Sequence, residues 1–283
     1  MVKSYAKINL FLKILDRRPD GYHNLISLFQ RIDLYDQLEF EPKEHGIVIE
    51  SDDQGLPVDG SNLAYRAADL LVRKAKIKKG IRISIKKNIP VGGGLGGGSS
   101  NAASTLLKLN ELWGLNYSLM ELGEMGASLG SDIPFFCYRT SSAWVSGKGE
   151  IIQPVVLPAD YWILLVFPSF SINTAEAYQL WDLSRNPDKN GLTKKGNHNK
   201  ISSFQTLAEE GLENDFEIVL FGKYPGLREI QDRLYQEKAE KVLLSGSGST
   251  IFAVFSMEKK AREAGENLIK TFSHTGIQVV RPI

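Results

Sequence analysis

The sequence has a single cysteine, Cys137, so no internal disulfide is available and a reducing compartment is the natural setting. No part of the sequence places an activating histidine beside that thiol, which therefore reads as the filler of a buried slot. Long apolar runs are also lacking. The longest, Tyr161 to Phe167, is far short of a membrane span, and Lys7, Asn9 and Lys13 break the first fifteen residues where a secretory signal would be apolar. A cytoplasmic protein is expected. There is no charge excess either: 34 Lys and Arg stand against 33 Asp and Glu, a net charge of +1, which argues against a dedicated nucleic-acid or membrane-surface binder. Local basic runs (Arg73, Lys74, Lys76, Lys78, Lys79, then Lys86 and Lys87) read as solvated faces. No internal repeat appears, and no obligate protein partner is implied. The 283 residues suffice for one large or two ordinary domains with real cores.

Against that plain background, residues 90–100 read Pro-Val-Gly-Gly-Gly-Leu-Gly-Gly-Gly-Ser-Ser, with six of the 26 glycines. Residues without Cβ let consecutive backbone N–H groups converge on one oxyanion, and a helix beginning near Ser99 or Ser100 would add its unpaired N–H groups and positive dipole end. A flexible linker is the bland alternative. However, Ile81, Ile83 and Ile85 alternate with polar residues before the loop as in a strand. After it, Ala102, Ala103, Leu106, Leu107, Leu109 and Trp113 form a helical stripe that Gly114 ends. Walker A fails because no lysine follows the glycines. Gly92, Gly94 and Gly97 do satisfy G-x-G-x-x-G, but a dinucleotide fold needs a strand next with an acidic residue about 20 positions on, and here another helix follows. That helix opens on the capping box Ser118-x-x-Glu121 and runs to Gly130. The protein-kinase signatures H-R-D and D-F-G are absent.

The remaining pattern predicts an α+β chain. A strand is expected over Tyr5 to Leu15, then a turn at Arg17 to Gly21, then a hairpin pairing Leu38–Pro42 with Ile47–Ser51 around Lys43–Gly46. Ser61 is the expected cap of a helix carrying Leu63, Ala67, Leu70, Leu71 and Ala75. Residues 131–136 read as a polar break pinned by Pro134, followed by a hairpin turning at Gly147-Lys148-Gly149. A domain boundary is placed near residue 155. Beyond it come a very apolar strand, helices, a polar stretch from Asn186 to Lys200 expected to be mobile, and a final strand–Ser245-Gly246-Ser247-Gly248-Ser249–strand–helix–strand sequence suited to a small antiparallel sheet.

Three segments read together carry a resemblance: Ala6-Lys7-Ile8-Asn9-Leu10, the loop from Pro90 to Ser100, and Leu244 to Ser249. In order and spacing the chain resembles the GHMP kinases, the superfamily of galacto-, homoserine, mevalonate and phosphomevalonate kinases, over nearly its whole length. The resemblance implies a two-domain GHMP kinase fold. Its N-terminal half, 1–155, would be ribosomal-protein-S5-domain-2-like and ATP-binding; its C-terminal half, 156–283, would be ferredoxin-like α+β and contribute to the substrate site. Arg18-Pro19-Asp20-Gly21-Tyr22-His23 and the run Gly93 to Ala103 look like the branch acting on a cytidine diphosphate-linked alcohol.

The activity so implied is transfer of the γ-phosphoryl of ATP, with Mg²⁺, to a hydroxyl of that small molecule. Such chemistry asks for positioning and charge neutralisation more than covalent help. Asp132 would accept the hydroxyl proton and Lys7 would partner it; taken alone, Lys7 is equally a surface charge and Asp132 a turn residue. By the same resemblance Asn9, Tyr22, His23, Thr174 and Tyr178 would meet the substrate. Asn62, Leu63, Lys87, Pro90, Val91, Gly92, Gly93, Gly94, Leu95, Gly96, Gly97, Gly98, Ser99 and Ser100 would meet ATP. Ser100 and Asp132 are the candidate metal ligands. The Ser245–Ser249 segment is either a plain hairpin turn or the backing of the phosphate loop. A kinase for another small alcohol and a nucleic-acid module remain as alternatives, the first opposed by Tyr22-His23 and the second resting only on the basic runs.

Overall fold

The computed structural model describes residues 1–184 and 211–283. The polar stretch from Asn186 to Lys200 lies outside the described residues. Two β-sheets stack face to face, and each carries helices on its outer face, giving a helix–sheet–sheet–helix sandwich.

The first sheet is organised by two long strands, β1 (Val2–Arg17) and β2 (His23–Lys43), paired antiparallel. Gln37 of β2 pairs with both Lys3 and Lys86, and Ser27 with both Leu12 and Val145, so β1 lies along one edge of β2. The other edge is shared by β4 (Gly80–Lys86) and β5 (Ser142–Ser146), with β3 (Ile47–Ser51) beyond β4 and β6 (Ile151–Val155) beyond β5. The hairpin expected between β2 and β3 does not form. β3 pairs parallel with β4, Ile47 opposite Ile81, and β4 inserts between β3 and β2. The cause is the helix between them. α1 (Leu63–Ala75) must cover its apolar face of Ala64, Ala67, Ala68 and Leu71, and a β–α–β crossover lays that face on the sheet. Gly80 permits the register, since a Cβ there would lie 2.4 Å from the Gly46 carbonyl oxygen.

The caps differ from expectation by a residue or two. Asn62, not Ser61, caps α1 by accepting from Ala64 N–H. α2 (Gly97–Leu112) starts before Ser99 because Gly96, at φ 69°, takes the left-handed cap conformation. α3 (Leu119–Ala127) opens on the capping box of Ser118 and Glu121. The break expected at 131–136 is instead a short helix, α4 (Ile133–Cys137), with Pro134 in its first turn, where the missing N–H costs nothing. Cys137 is fully buried there and burial pushes its thiol up to about 12, so the filler reading holds.

The second sheet has strand order β10–β7–β9–β8, all antiparallel: β7 (Trp162–Phe167), β8 (Lys241–Leu244), β9 (Ile251–Phe255) and β10 (Gly276–Val280). Among the described residues its helices are α5 (Thr174–Ser184), α6 (Glu217–Lys223), α7 (Pro225–Gln236) and α8 (Glu258–Thr271). β7 is apolar throughout because it is buried on both faces. Leu164 and Val166 meet these helices, whereas Ile163 and Leu165 join Ala6, Ile8 and Leu10 of β1 between the sheets. Polar links reinforce that middle core: Leu12 bridges to Asn214, and Asp33 N–H donates to Arg281 O at 3.0 Å.

Leu106 is fully buried on α2 in the first core. Leu106→Ala is expected to cost about 2–5 kcal/mol, read as a lower urea midpoint at unchanged slope.

Candidate active site

β1 supplies the first two groups. Its pairing with β2 is irregular between Tyr5 and Lys7 and again between Asn9 and Phe11, and such bulges re-aim side chains. Lys7 and Asn9, two residues apart, share a face. Lys7 Nζ donates to Asn9 Oδ1 at 2.6 Å and lies 3.4 Å from Asp132 Oδ2 and 4.6 Å from the centre of the Phe29 ring. Asn9 Nδ2 in turn donates to Ser27 Oγ at 2.9 Å. Lys7 is buried, which lowers its pKa, while the charge of Asp132 opposes that shift. Asn9, a residue expected to meet substrate, thus also steadies Lys7.

Asp132 stands at the N-terminus of α4, its side chain 28 % exposed. The helix is pinned from β2. One Nη of Arg31 donates to the carbonyls of Phe135 and Phe136 at 3.0 Å each, with the guanidinium over both rings.

The glycine loop runs directly beneath this pair. Lys7 N–H donates to Leu95 O, tying strand to loop, and a Cβ on Gly96 would come within 3.2 Å of the Lys7 side chain. Gly94, at φ 77°, meets the late glycine segment so closely that a Cβ would stand 2.1 Å from Ser245 O. Ser245 Oγ donates to Gly94 O, Thr250 N–H to Gly93 O, and Asn214 Nδ2 to the carbonyls of Leu244 and Gly246. Of the two readings of the Ser245–Ser249 segment, the structure supports both: it joins β8 to β9 and backs the loop.

Pro90 to Ser99, Lys7, Asn9, Tyr22, His23, Leu63, Lys87, Asp132, Thr174 and Tyr178 all line one cavity of about 770 Å³, a volume suited to nucleotide-sized ligands. Asn62 and Ser100 stand outside the lining. The Asn62 amide is used by Ala64 N–H and Pro57 O, and Ser100 Oγ, buried, accepts from Ser4 Oγ at 2.8 Å. Of the two candidate metal ligands, Ser100 has its hydroxyl turned to β1 and Asp132 faces the cavity. Lys87, which lines the cavity, is already engaged by protein. Its Nζ donates to Asp36 Oδ2 at 2.6 Å and Ile89 O at 2.5 Å, and the fully buried Asp36 also accepts from the N–H groups of Asn88 and Ile89. The carboxylate thereby shapes the turn into the loop.

At the far end, Tyr22 is 58 % exposed, with Lys148 Nζ 4.8 Å above its ring. His23 is buried and stacks on Tyr178, centroids 5.0 Å apart and planes at 8°. Tyr178 was expected to pack on a base, but this face of its ring belongs to His23. Phe216 meets Tyr178 edge-on, and burial pushes the phenol up to about 12. Thr174 Oγ1 and Ser247 Oγ are 2.8 Å apart. Asp36, Arg31 and Asn214 were not singled out from sequence, and no local pattern marks them. Asp182 was not singled out either; its spacing of four and eight residues from Tyr178 and Thr174 on α5 is the signal that could have found it.

A glycine cradle at a helix start, sharing with a buried lysine and a partly exposed aspartate one cavity lined by both sheet-and-helix layers, defines a small-molecule kinase of the GHMP class. Residues 62–140 match the family "GHMP kinases N terminal domain" and residues 193–274 match "GHMP kinases C terminal". The 4-diphosphocytidyl-2-C-methyl-D-erythritol kinase of Syntrophus aciditrophicus is 41 % identical over 265 residues, covering 93 % of this chain and 92 % of its own. The same kinase of Thermodesulfovibrio yellowstonii is 43 % identical over 270 residues, with the same coverage. A crystal structure of 4-(cytidine 5'-diphospho)-2C-methyl-D-erythritol kinase superposes with a TM-score of 0.81 at 33 % identity, covering 99 % of this chain and 98 % of the other. The chain belongs to the 4-diphosphocytidyl-2-C-methyl-D-erythritol kinase family of the GHMP kinases.

Gly94→Ala is expected to weaken ATP binding about tenfold or more and to lower the melting temperature, since the new methyl meets backbone at a strained φ. Gly98→Ala, whose Cβ would meet only Leu63 at an ordinary 3.5 Å, should leave the melting temperature little changed. Nucleotide titration and thermal unfolding of the two variants make the comparison.

Proposed function

We propose that this chain transfers the γ-phosphoryl group of ATP to a hydroxyl of 4-diphosphocytidyl-2-C-methyl-D-erythritol, giving the 2-phosphate, in the cytoplasmic synthesis of isoprenoid precursors. The observation that carries the reading is the 3.4 Å pair of Lys7 and Asp132 facing the glycine loop within one cavity. The backbone N–H groups of the loop and the start of α2 hold the triphosphate. Asp132 accepts the proton of the attacking hydroxyl, and the adjacent ammonium of Lys7 keeps the carboxylate ionised and offsets charge on the transferred group. Burial of Lys7 raises the worth of that contact, because little water competes for it. Tyr22 and His23 hold the cytosine, with Tyr178 behind His23, and Thr174 meets the diphosphate side. The first half, 1–155, binds ATP and carries the catalytic pair, and the second, 156–283, contributes to the substrate site, with no nucleic acid or obligate protein partner.

Among the described residues no three His, Cys, Asp or Glu side chains gather as a metal cage. That donor set fits Mg²⁺ held mostly by phosphates and water with one carboxylate, Asp132. When bound, the ion neutralises phosphate charge.

ATP consumption by the purified protein with Mg²⁺ tests the substrate. Stimulation by 4-diphosphocytidyl-2-C-methyl-D-erythritol and not by the same alcohol without its cytidine is expected. Faster turnover of mevalonate, homoserine or a sugar would replace this reading with another GHMP kinase. Asp132→Asn should lower kcat by about 10²–10⁴ while ATP affinity stays within a few-fold, and near-normal turnover would remove Asp132 from the chemistry.

A further inference from the structure

His23 is held more tightly than base contact alone requires. One face of its ring lies on Tyr178, and Nε2 is 2.7 Å from Asp182 Oδ1, four residues further along α5. The other carboxylate oxygen, Oδ2, is 3.6 Å from Arg17 Nη1, at the start of the β1–β2 turn that ends on His23. The His23 side chain is 5 % exposed and that of Asp182 33 %, and both line the cavity. A carboxylate only accepts hydrogen bonds, so Nε2 must carry the proton for this contact to form. A neutral ring so arranged keeps its lone pair on Nδ1. Among the described residues Nδ1 has no hydrogen-bond partner.

We propose that Asp182 is the positioning residue for base selectivity: it holds His23 in the Nε2–H tautomer, leaving Nδ1 to accept from the exocyclic amino group of the substrate's cytosine. Uracil carries a carbonyl oxygen at that place, and two acceptors repel. The selectivity therefore originates on α5, in the second sheet's layer, and is delivered through a side chain of the first. The proposal rests on the cytidylated alcohol being the substrate.

Steady-state kinetics of wild type and Asp182→Asn with the cytidylated alcohol and its uridylated counterpart test it, together with ¹⁵N spectra of the histidines, the His23 signal assigned by its loss in His23→Ala. Asparagine keeps the size of the side chain but can turn its amide to donate to Nε2, reversing the tautomer. The expected results are a wild-type His23 protonated on Nε2, and a variant with KM for the cytidylated alcohol raised about tenfold and preference over the uridylated one reduced about tenfold, the scale of one hydrogen bond. The KM for ATP should stay within about twofold, because the nucleotide loop is untouched. A preference unmoved by the substitution, an equal loss for both alcohols and ATP, or a wild-type ring protonated on Nδ1 would each overturn the role of Asp182. The last is read without any variant, should Asp182→Asn fail to fold. Wild-type protein that ignores the cytidylated alcohol would instead overturn the substrate reading itself.

Discussion

The contact between two glycine turns, Gly94 against Ser245, is the constraint on which the rest of this structure depends. A Cβ on Gly94 would fall 2.1 Å from a carbonyl oxygen, so the approach is possible only for glycine. That approach brings the loop of the first sheet's layer against the β8–β9 connection of the second. The hydrogen bonds from Ser245 to Gly94 O and from Thr250 to Gly93 O then keep these loop carbonyls occupied by protein, which leaves the loop N–H groups available for an anion, while Asn214 holds the carbonyls of Leu244 and Gly246 in the facing connection.

Around this junction the buried charges are arranged in pairs with distinct tasks. Lys87 and Asp36, both almost without solvent contact, spend their hydrogen bonds on each other and on the turn into the loop. Lys7 and Asp132 are set further apart, with Asp132 partly open to the cavity. A tightly closed pair stiffens a turn; a looser pair at a cleft leaves lone pairs free to take a proton. Asn9 and Arg31 govern the looser one, the first by holding the ammonium and the second by fixing the helix that begins at Asp132.

Much was legible where the cause is local. The glycine loop, the capping box at Ser118, the β5–β6 hairpin and the apolar β7 each depend on residues within a few positions, so their patterns report directly on them. The β2–β3 hairpin failed for the same reason in reverse. A turn-like Lys43–Gly46 says nothing about the competing demand of α1, which begins 17 residues after Gly46, to be covered by a sheet. Asp36 and Asn214 were invisible because each acts on backbone brought near by the fold alone.

By itself the sequence determined the chemistry on offer: an anion cradle, a lysine, an aspartate and an aromatic–imidazole pair, in an order that marks the GHMP class. Only the tertiary structure decided which of them work together. Lys7 and Asp132 are 125 positions apart and His23 and Asp182 159, and ion pairs and hydrogen bonds act over a few ångströms, so their partners exist only once two sheets have closed on a common core.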